Sequence, residues 1–338
     1  MRVADVWLRS SGLPTKKSVS LGYGVVVIMN GSAQKELFFE GVRIADTFAE
    51  AFPATATRLI VTAVSHRWAG IAAQVFCGNA TSVIACDVEA AVERTLDASE
   101  TPDGRPGVSI LAFAFDRKSL EAAVQKRTGQ CILTCPSTAC FSGLPVTSEG
   151  QISIGGSLRY FGDGHQQSKN LGDRRFWRIP VMDGEFVCED LFGTVKGIAG
   201  GNLLICGRTP AAALLAAEQA VAAVAEFSEV ILPFPGGIVR SGSKVGSKYP
   251  TLRASTNEAW CPGLRGLVDS EVPADCQATY ELVFDGLSEQ ALTVAMKAAL
   301  QAAVAVRDIL LISAGNYGGK LGRFHFHLKD LLPGSCSE

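Results

Sequence analysis

DTFAEAFPATATRLIVTAVSHRWAGIAA, residues 46–73, and DLFGTVKGIAGGNLLICGRTPAAALLAAEQA, residues 190–220, are the two stretches whose comparison decides the fold. In each, Asp and Phe (Asp46 and Phe48; Asp190 and Phe192) precede an apolar strand that starts at Leu59 or Leu203. Ser65 or Thr209 then opens a helix, one through His66, Arg67 and Trp68 toward Ala73, the other through Ala220. The interval from Asp to strand is 13 residues in both copies, and from Asp to helix cap 19 in both. Matched spacing of this kind signals an internal duplication. The caps make physical sense, because a Ser or Thr hydroxyl accepts an orphan N–H of the first turn and Pro210 is preset for the first helical position.

Outward from these stretches the parallel continues. Each helix leads into a β-rich run, Thr81 to Ile84 in the first half and Ser228 to Leu232 in the second. Two strand-turn-helix units follow: Val108 to Phe115 with Asp116 and Ser119, and Thr279 to Phe284 with Asp285 and Ser288. Final strands are predicted at Ile132 to Thr134 and at Ile309 to Ser313. Each half thus reads β-α-β-β-α-β, which predicts an α+β protein of two ferredoxin-like sandwich lobes, helices on one face of each antiparallel sheet. The other face is expected to be covered by the sister lobe or by a partner subunit. The expected organisation is an N-terminal extension (1–36), an N-terminal lobe (37–182), a C-terminal lobe (183–331) and a tail (332–338). The boundary falls after the polar, glycine-rich stretch from Ser148 to Asp173.

Aligning the halves through Asp116 and Asp285 sets Glu281 on Ala112. In this strand Tyr280, Leu282 and Phe284 alternate onto one face, and Thr279, Glu281 and Val283 share the other. One lobe therefore presents a carboxyl where its sister has a methyl group. A strand-edge glutamate reaching water is the ordinary reading of such a position. The functional reading is a cleft carboxyl whose burial suits it to moving protons near neutral pH.

With 338 residues, 47% hydrophobic and 19% charged, the chain has material for one large or two ordinary domains. A net charge of -2 and a pI of about 6.1 offer no general attraction to nucleic acid or to an anionic membrane. No segment has 18 uninterrupted apolar residues, and the run Val25 to Met29 is shorter than a signal-peptide core, so a cytoplasmic protein is expected. Ten cysteines in so long a chain are expected to be reduced. Cys131, Cys135 and Cys140 lack Cys-x-x-Cys spacing and a nearby histidine, and read as small buried residues rather than metal ligands.

Six ordered runs carry a resemblance: Ile44 to Phe52 (IADTFAEAF), Glu100 to Gly107 (ETPDGRPG), Pro233 to Val239 (PFPGGIV), Ser241 to Ser247 (SGSKVGS), Ala254 to Asn257 (ASTN) and Ile312 to Gly322 (ISAGNYGGKLG). Together, over about Gly41 to Leu331, the chain resembles the formylmethanofuran:tetrahydromethanopterin formyltransferase family of one-carbon metabolism. The resemblance implies an N-formyltransferase (an acyltransferase) that moves a formyl group reversibly between formylmethanofuran and tetrahydromethanopterin. The two are substrate carriers, with no metal or prosthetic group. It also implies two-lobed subunits in homodimers or homotetramers. Tyr280-Glu281 matches the family's Tyr-Glu step, whose glutamate is regarded as the catalytic acid/base. The first 35 or so residues do not match. The near-neutral charge departs from the strongly acidic archaeal members, which points to a methylotroph-type member as well as to methanogenesis or its reversal. A second reading follows, in which the chain is a transferase subunit docked in a bacterial formyltransferase/hydrolase complex that releases formate.

Candidate substrate-binding positions are Gly236, Gly237, Ser243, Lys244, Asn257, Tyr280, Asn316, Tyr317, Gly318, Lys320 and Arg105. The developing oxyanion needs fixed donors, for which Gly236-Gly237 or Gly315 to Gly319 amides, or the Asn257 or Asn316 side chains, are the open choices. The loop carrying Arg240, Lys244, Lys248 and Arg253 is either a solvated basic loop or a seat for anionic carrier tails. Gly318-Gly319-Lys320 is no phosphate-binding P-loop, since Ala314 and Leu321 break that pattern. Asp103-Gly104 between Pro102 and Pro106 is a rigid turn that presents Arg105 to substrate or a neighbouring subunit. His325 and His327 share one face of a terminal strand.

Overall fold

The computed structural model describes residues 17–22, 24–30 and 34–333. Residues 1–16 of the expected extension and 334–338 of the expected tail lie outside the described residues. An antiparallel meander comes first: β1 (Lys17–Gly22), β2 (Val25–Asn30), β3 (Gln34–Phe39) and β4 (Val42–Ile44). The first repeat is β5 (Phe48–Thr62), α1 (His66–Cys77), β6 (Glu89–Leu96), β7 (Gly107–Ala114), α2 (Arg117–Arg127) and β8 (Ala139–Ser142). Next, β9 (Gln151–Ser153) and the short α3 (Gly155–Leu158) lead to a second meander, β10 (Gln167–Leu171), β11 (Arg174–Val181) and β12 (Gly184–Glu189). The second repeat begins with β13 (Leu191–Gly207), α4 (Pro210–Val224) and β14 (Val230–Ile231). After a small hairpin of β15 (Lys244–Val245) and β16 (Ala254–Ser255), it ends with β17 (Ala278–Gly286), α5 (Glu289–Val304) and β18 (Ile309–Ser313). β19 (Phe324–His327) then pairs with the start of β5.

The result is a mixed α/β structure in which the two repeats have one wiring. Their strands lie side by side as β8-β5-β7-β6 and β18-β13-β17-β14, every neighbour antiparallel. One face of each sheet packs on its two helices. Leu59, Val61, Val108 and Ile110 meet Ala69, Ala73 and Leu120 in the first half, and Leu203, Ile205, Leu282 and Phe284 meet Ala216, Ala220, Ala295 and Ala299 in the second. The alanine-rich helices let the backbones approach closely, and the strands supply the bulk. On the opposite face the halves cover one another, where Leu111 and Phe113 of β7 pack with Ala54, Ala199 and Ile231.

Two features join the repeats. The long strands β5 and β13 pair antiparallel over Phe52 to Thr57 and Thr194 to Ala199. Beyond that seam β13 changes partner to β17, and the change occurs at Gly200, whose φ of 86° is left-handed and suits a residue without Cβ. The second feature is reciprocal exchange. β4 runs parallel to β18, Ile44 beside Ile312, and β12 runs parallel to β8, Cys188 beside Cys140. Each repeat's last strand is thus flanked by a strand that precedes the other repeat.

Three expectations need correcting. Thr81 to Ile84 is a turn closed by N–H bonds from Ala85 and Cys86 to the Ser82 carbonyl, and the strand is Glu89–Leu96. That stretch, EAAVERTL, has helical propensity, which pairing with β7 overrides. Ile132 to Thr134 is not a strand either. The chain continues α2 as a π-helical turn (Thr128–Ile132) that buries Ile132 and Leu133, and β8 starts at Ala139. A short apolar run cannot by itself tell helix from strand. Finally, the strands of the two repeats correspond in a register three residues from the one that equates Asp116 with Asp285. Leu59 pairs with Ile110 and Leu203 with Leu282, so Glu281 corresponds to Ser109. A three-residue slip exchanges the faces of a strand, which is why Ala112 lies among the helix-facing residues and Glu281 does not. The helix caps agree: Asp116 caps α2, but Ser288 and not Asp285 caps α5.

Among the described residues no helix is long and apolar enough to cross a membrane. The caps give a stability test. Thr209 accepts the Ala212 N–H at 3.1 Å, whereas Ser65 makes no such bond. Thr209→Ala is therefore expected to cost about 1 kcal/mol in urea or thermal unfolding, and Ser65→Ala clearly less.

Candidate active site

A cleft of about 760 Å³ opens on the helix-free face, where β13 leaves β5 for β17. Glu281 sits in its wall. Its backbone is clamped to Val239 by two hydrogen bonds, of 2.7 and 3.1 Å, and the strand alternation turns the side chain away from the helices into the cleft. The carboxyl is 2% exposed. Asn202 Nδ2 donates to its Oε1 at 2.6 Å and Ser243 Oγ donates to the same oxygen at 2.5 Å. Asn202 is itself held by the Gly315 N–H, which donates to Oδ1 at 2.7 Å and so fixes which end of the amide faces Glu281. Oε2 has no hydrogen-bond partner among the described residues. Burial pushes the Glu281 carboxyl above its ordinary value, and the Ser243 and Asn202 donors only partly oppose it. A proton bound to this group belongs on Oε2, the oxygen left over.

The opposite wall depends on a second buried carboxyl, Glu50 on β5, also 2% exposed. Four N–H groups of the Gly315 to Gly322 loop converge on it: Tyr317 at 2.6 Å and Gly319 at 3.1 Å on Oε2, Leu321 at 2.6 Å and Gly322 at 2.5 Å on Oε1. Burial pushes Glu50 up, but these donors outweigh it and hold the carboxyl below its usual range. A Cβ at position 322 would stand 2.3 Å from the Ala51 carbonyl oxygen, so only glycine brings the loop this close. The loop presents Asn316, whose amide is tied to Thr47 Oγ1 at 2.9 Å, and Tyr317, whose hydroxyl accepts the Val245 N–H at 2.7 Å.

At the far end of the cleft two more carboxyls meet across the halves, Glu89 of β6 and Asp285 of β17. Glu89 lines the cleft, is 5% exposed, and accepts the Val83 N–H on Oε1 at 3.0 Å. Asp285, fully buried, accepts the Gly200 N–H on Oδ1 at 3.0 Å. Burial pushes both upward, and the two carboxyls hydrogen-bond to one another, so that Glu89 raises Asp285 further and the pair retains a proton between them.

Of the positions expected from sequence, Ser243, Lys244, Asn257, Asn316 and Tyr317 line the cleft together with Glu281. The others are elsewhere. Tyr280 points toward the helix-side core, as its alternation with Glu281 requires. Gly236 and Gly237 form a turn behind Phe234, which does line the cleft. Gly318 and Lys320 are exposed on the outer side of their loop. Arg105 braces the first repeat, donating to Asp103 at 2.8 Å, Thr62 at 3.0 Å and the Ser137 carbonyl at 2.5 Å. In the basic loop Lys244 is paired with Glu258 at 2.5 Å, and Arg240, Lys248 and Arg253 are exposed. His325 and His327 flank the Phe48 ring at 4.7 and 5.1 Å. Among the described residues no group of three His, Cys, Asp or Glu is placed to hold a metal ion, and the described cysteines are free thiols.

Glu50, Asn202 and Glu89 in the cleft lining, and Asp285 beside Glu89, are additions to the positions expected from sequence. For Asp285 a signal existed, because Glu281, Val283 and Asp285 follow the period of two that puts them on one face. For the others it did not, since each bonds to residues far away in sequence. Glu50→Gln is expected to lower stability by about 3 kcal/mol, because an amide NH₂ would face two of the four converging N–H groups. The stabilisation from Glu50 in the wild type is present above the ordinary carboxyl pKa. It is lost as pH falls through the lowered native value, so acid unfolding of the wild type should start from this loop, as read by hydrogen exchange at Tyr317 to Gly322.

Comparison with known proteins accords with this geometry. A family model described as formylmethanofuran-tetrahydromethanopterin formyltransferase matches residues 37–181, and one described as FTR, proximal lobe, matches residues 184–331. The formylmethanofuran–tetrahydromethanopterin formyltransferase of Methylococcus capsulatus is 54% identical over 299 residues, 88% of this chain and all of that one. The formyltransferase/hydrolase complex FhcABCD of Methylorubrum extorquens, solved with methylofuran, contains a chain 50% identical with a TM-score of 0.84, covering 88% of this chain and 99% of that one. The formyltransferase of Methanosarcina barkeri superposes with a TM-score of 0.82 at 47% identity, covering 87% and 100%. Two family models that together match residues 37–181 and 184–331, and relatives about half identical over most of the chain, leave one assignment: this chain belongs to the formylmethanofuran-tetrahydromethanopterin formyltransferase family.

Proposed function

We propose that the chain transfers a formyl group reversibly between formylmethanofuran, or an analogous furan carrier, and tetrahydromethanopterin, with Glu281 as general acid and base. The observation that carries this reading is the asymmetric bonding of Glu281: Oε1 is saturated by Asn202 and Ser243, and Oε2 is left free in the cleft wall. A ring nitrogen of the pterin attacks the formyl carbon and gives its proton to Oε2. The tetrahedral intermediate then collapses as Oε2 returns a proton to the amine nitrogen of the departing furan carrier. One bond to the formyl carbon forms, one breaks, and Glu281 ends as it began. A carboxyl raised by burial performs both transfers near neutral pH, in either direction.

The oxyanion needs a donor that the fold has not already used. The Gly315, Tyr317, Gly318 and Gly319 N–H groups are taken by Asn202, Glu50, Asn316 and Glu50. The Asn316 amide is taken by Thr47 and Phe48, and the Gly237 N–H by the Phe234 carbonyl. Among the expected candidates in the cleft lining, this leaves the half-buried Asn257 side chain and the Asn316 backbone N–H.

The repeat wiring supports reading each half as a ferredoxin-like sandwich derived by duplication, with lobes at 37–182 and 183–331. Both carriers act as substrates, and the proposed protein is a cytoplasmic enzyme without a prosthetic group, assembled as a homodimer or homotetramer. The Methylorubrum structure favours a second setting, a transferase subunit within a formyltransferase/hydrolase complex.

Glu281→Gln is expected to lower kcat by about 10²- to 10⁴-fold in an absorbance assay of formyl-tetrahydromethanopterin formation. Turnover equal to wild type would overturn the mechanism. Ser243→Ala removes a donor that holds the Glu281 pKa down, so the acidic limb of its kcat/KM profile should move to higher pH.

A further inference from the structure

Part of the cleft wall closes into a circuit of hydrogen bonds that begins and ends at Glu281. Its Oε1 accepts from Ser243 Oγ, and the chain then runs through Lys244 to Val245, whose N–H donates to the Tyr317 hydroxyl at 2.7 Å. From Tyr317 the chain returns through Asn316 to Gly315, whose N–H donates to Asn202 Oδ1, and Asn202 Nδ2 donates back to Glu281 at 2.6 Å. Every residue of this circuit lines the cleft. Around it, donors are spent. The Ser243 O–H goes to Glu281, the Gly315 N–H to Asn202, and the Lys244 ammonium to both oxygens of Glu258. Asn202 is buried, and its Nδ2 packs against Gly315, where an added Cβ would stand 2.8 Å away. Tyr317 differs. Its oxygen accepts the Val245 N–H, but its own O–H has no acceptor among the described residues, and the residue is only half-buried.

The bond from Val245 fixes the phenol oxygen in place, and a hydroxyl that accepts a hydrogen bond is polarised into a better donor. Two residues of chain span at most about 7 Å, so Ser243 and Val245 hold Glu281 and the Tyr317 hydroxyl across a gap of that order. A tetrahedral centre needs such a gap when its nitrogen is bonded to an acid/base and its oxyanion to a donor, each at about 3 Å. Burial pushes the Tyr317 phenol above its ordinary value against the opposing Val245 N–H. The charges of Glu281 and Glu50 add to the rise, and that of Lys244 opposes it. A phenol that stays protonated beside the acid/base serves as a donor.

Resting on the transferase reading, we infer that Tyr317 is a second catalytic residue, whose hydroxyl donates to the oxyanion of the tetrahedral intermediate while Glu281 moves the nitrogen protons. No proton changes hands at Tyr317. The formyl oxygen gains charge as the pterin nitrogen adds, holds the Tyr317 hydrogen bond, and loses the charge as the furan carrier's amine departs.

The test compares wild type with Tyr317→Phe, and with fluorotyrosine in place of Tyr317, in the absorbance assay of formyl transfer, each protein first checked by thermal melting. Tyr317→Phe is expected to lower kcat by about 10²- to 10³-fold, with the KM of either carrier changed less than about threefold. Fluorination keeps the shape of the ring and acidifies the phenol. The alkaline limb of the kcat profile, set by loss of the donor proton, should therefore move to lower pH. Wild-type kcat in a folded Tyr317→Phe, a loss carried by KM alone, or an alkaline limb indifferent to fluorination overturns the assignment and leaves the transferase reading intact. A wild-type protein that transfers no formyl group between the carriers overturns both. Should Tyr317→Phe fail to fold, the fluorotyrosine profile decides, because a phenolate still accepts the Val245 N–H and a mere tether would not move the limb.

Discussion

The antiparallel seam between β5 and β13 is the constraint from which the rest follows. Each strand is too long for its own lobe, and the surplus of one pairs with the surplus of the other. Where the pairing ends, the two sheets diverge, and the gap between them is the cleft. Gly200 marks that point on β13, and its N–H fixes Asp285. Glu50, on the matching side of β5, gathers the loop that closes the opposite wall. The site is therefore a property of the junction, and neither repeat contains it.

The two repeats share a wiring but differ at this position. The first repeat's counterparts of Asn202 and Glu281 are Arg58 and Ser109. There Ser109 donates to Glu93 at 2.5 Å, and Arg58 pairs with Glu93 at 2.7 Å. Glu93 accepts, in addition, the Glu229 N–H at 2.7 Å. An ion pair and a backbone bond fill the place that stands open in the second repeat. The same scaffold position thus closes one lobe and equips the other, and the difference lies in where the carboxyl is attached.

Much of this was legible in sequence because it is periodic. The two long strands, their helices and the orientation of Glu281 follow from alternation, caps and spacing. Errors arose where local pattern and tertiary pairing disagree, as at Glu89–Leu96, a helix-like stretch held as a strand by β7. The anchor chosen for the repeats, Asp116 with Asp285, equated a helix cap with a buried interfacial carboxyl, two residues that share a name and little else. Glu50 and Glu89 stayed hidden because each meets groups of the other half of the chain, and Asn202 because Glu281 and Gly315 lie 79 and 113 residues away. No window on the sequence brings Glu50 beside Gly322.

The exchange of β4 and β12 has a consequence for how the chain reaches this state. During synthesis the first repeat can form its helices and most of its sheet, but the outer edge of β8 stays unpaired until β12 emerges. β4 waits longer still, for β18 near the other end. Such long-range pairings fold slowly, and open strand edges invite pairing with other chains. Completion of the second repeat then closes both edges in one cooperative event. The molecule is expected to unfold as one unit, with no half that survives alone.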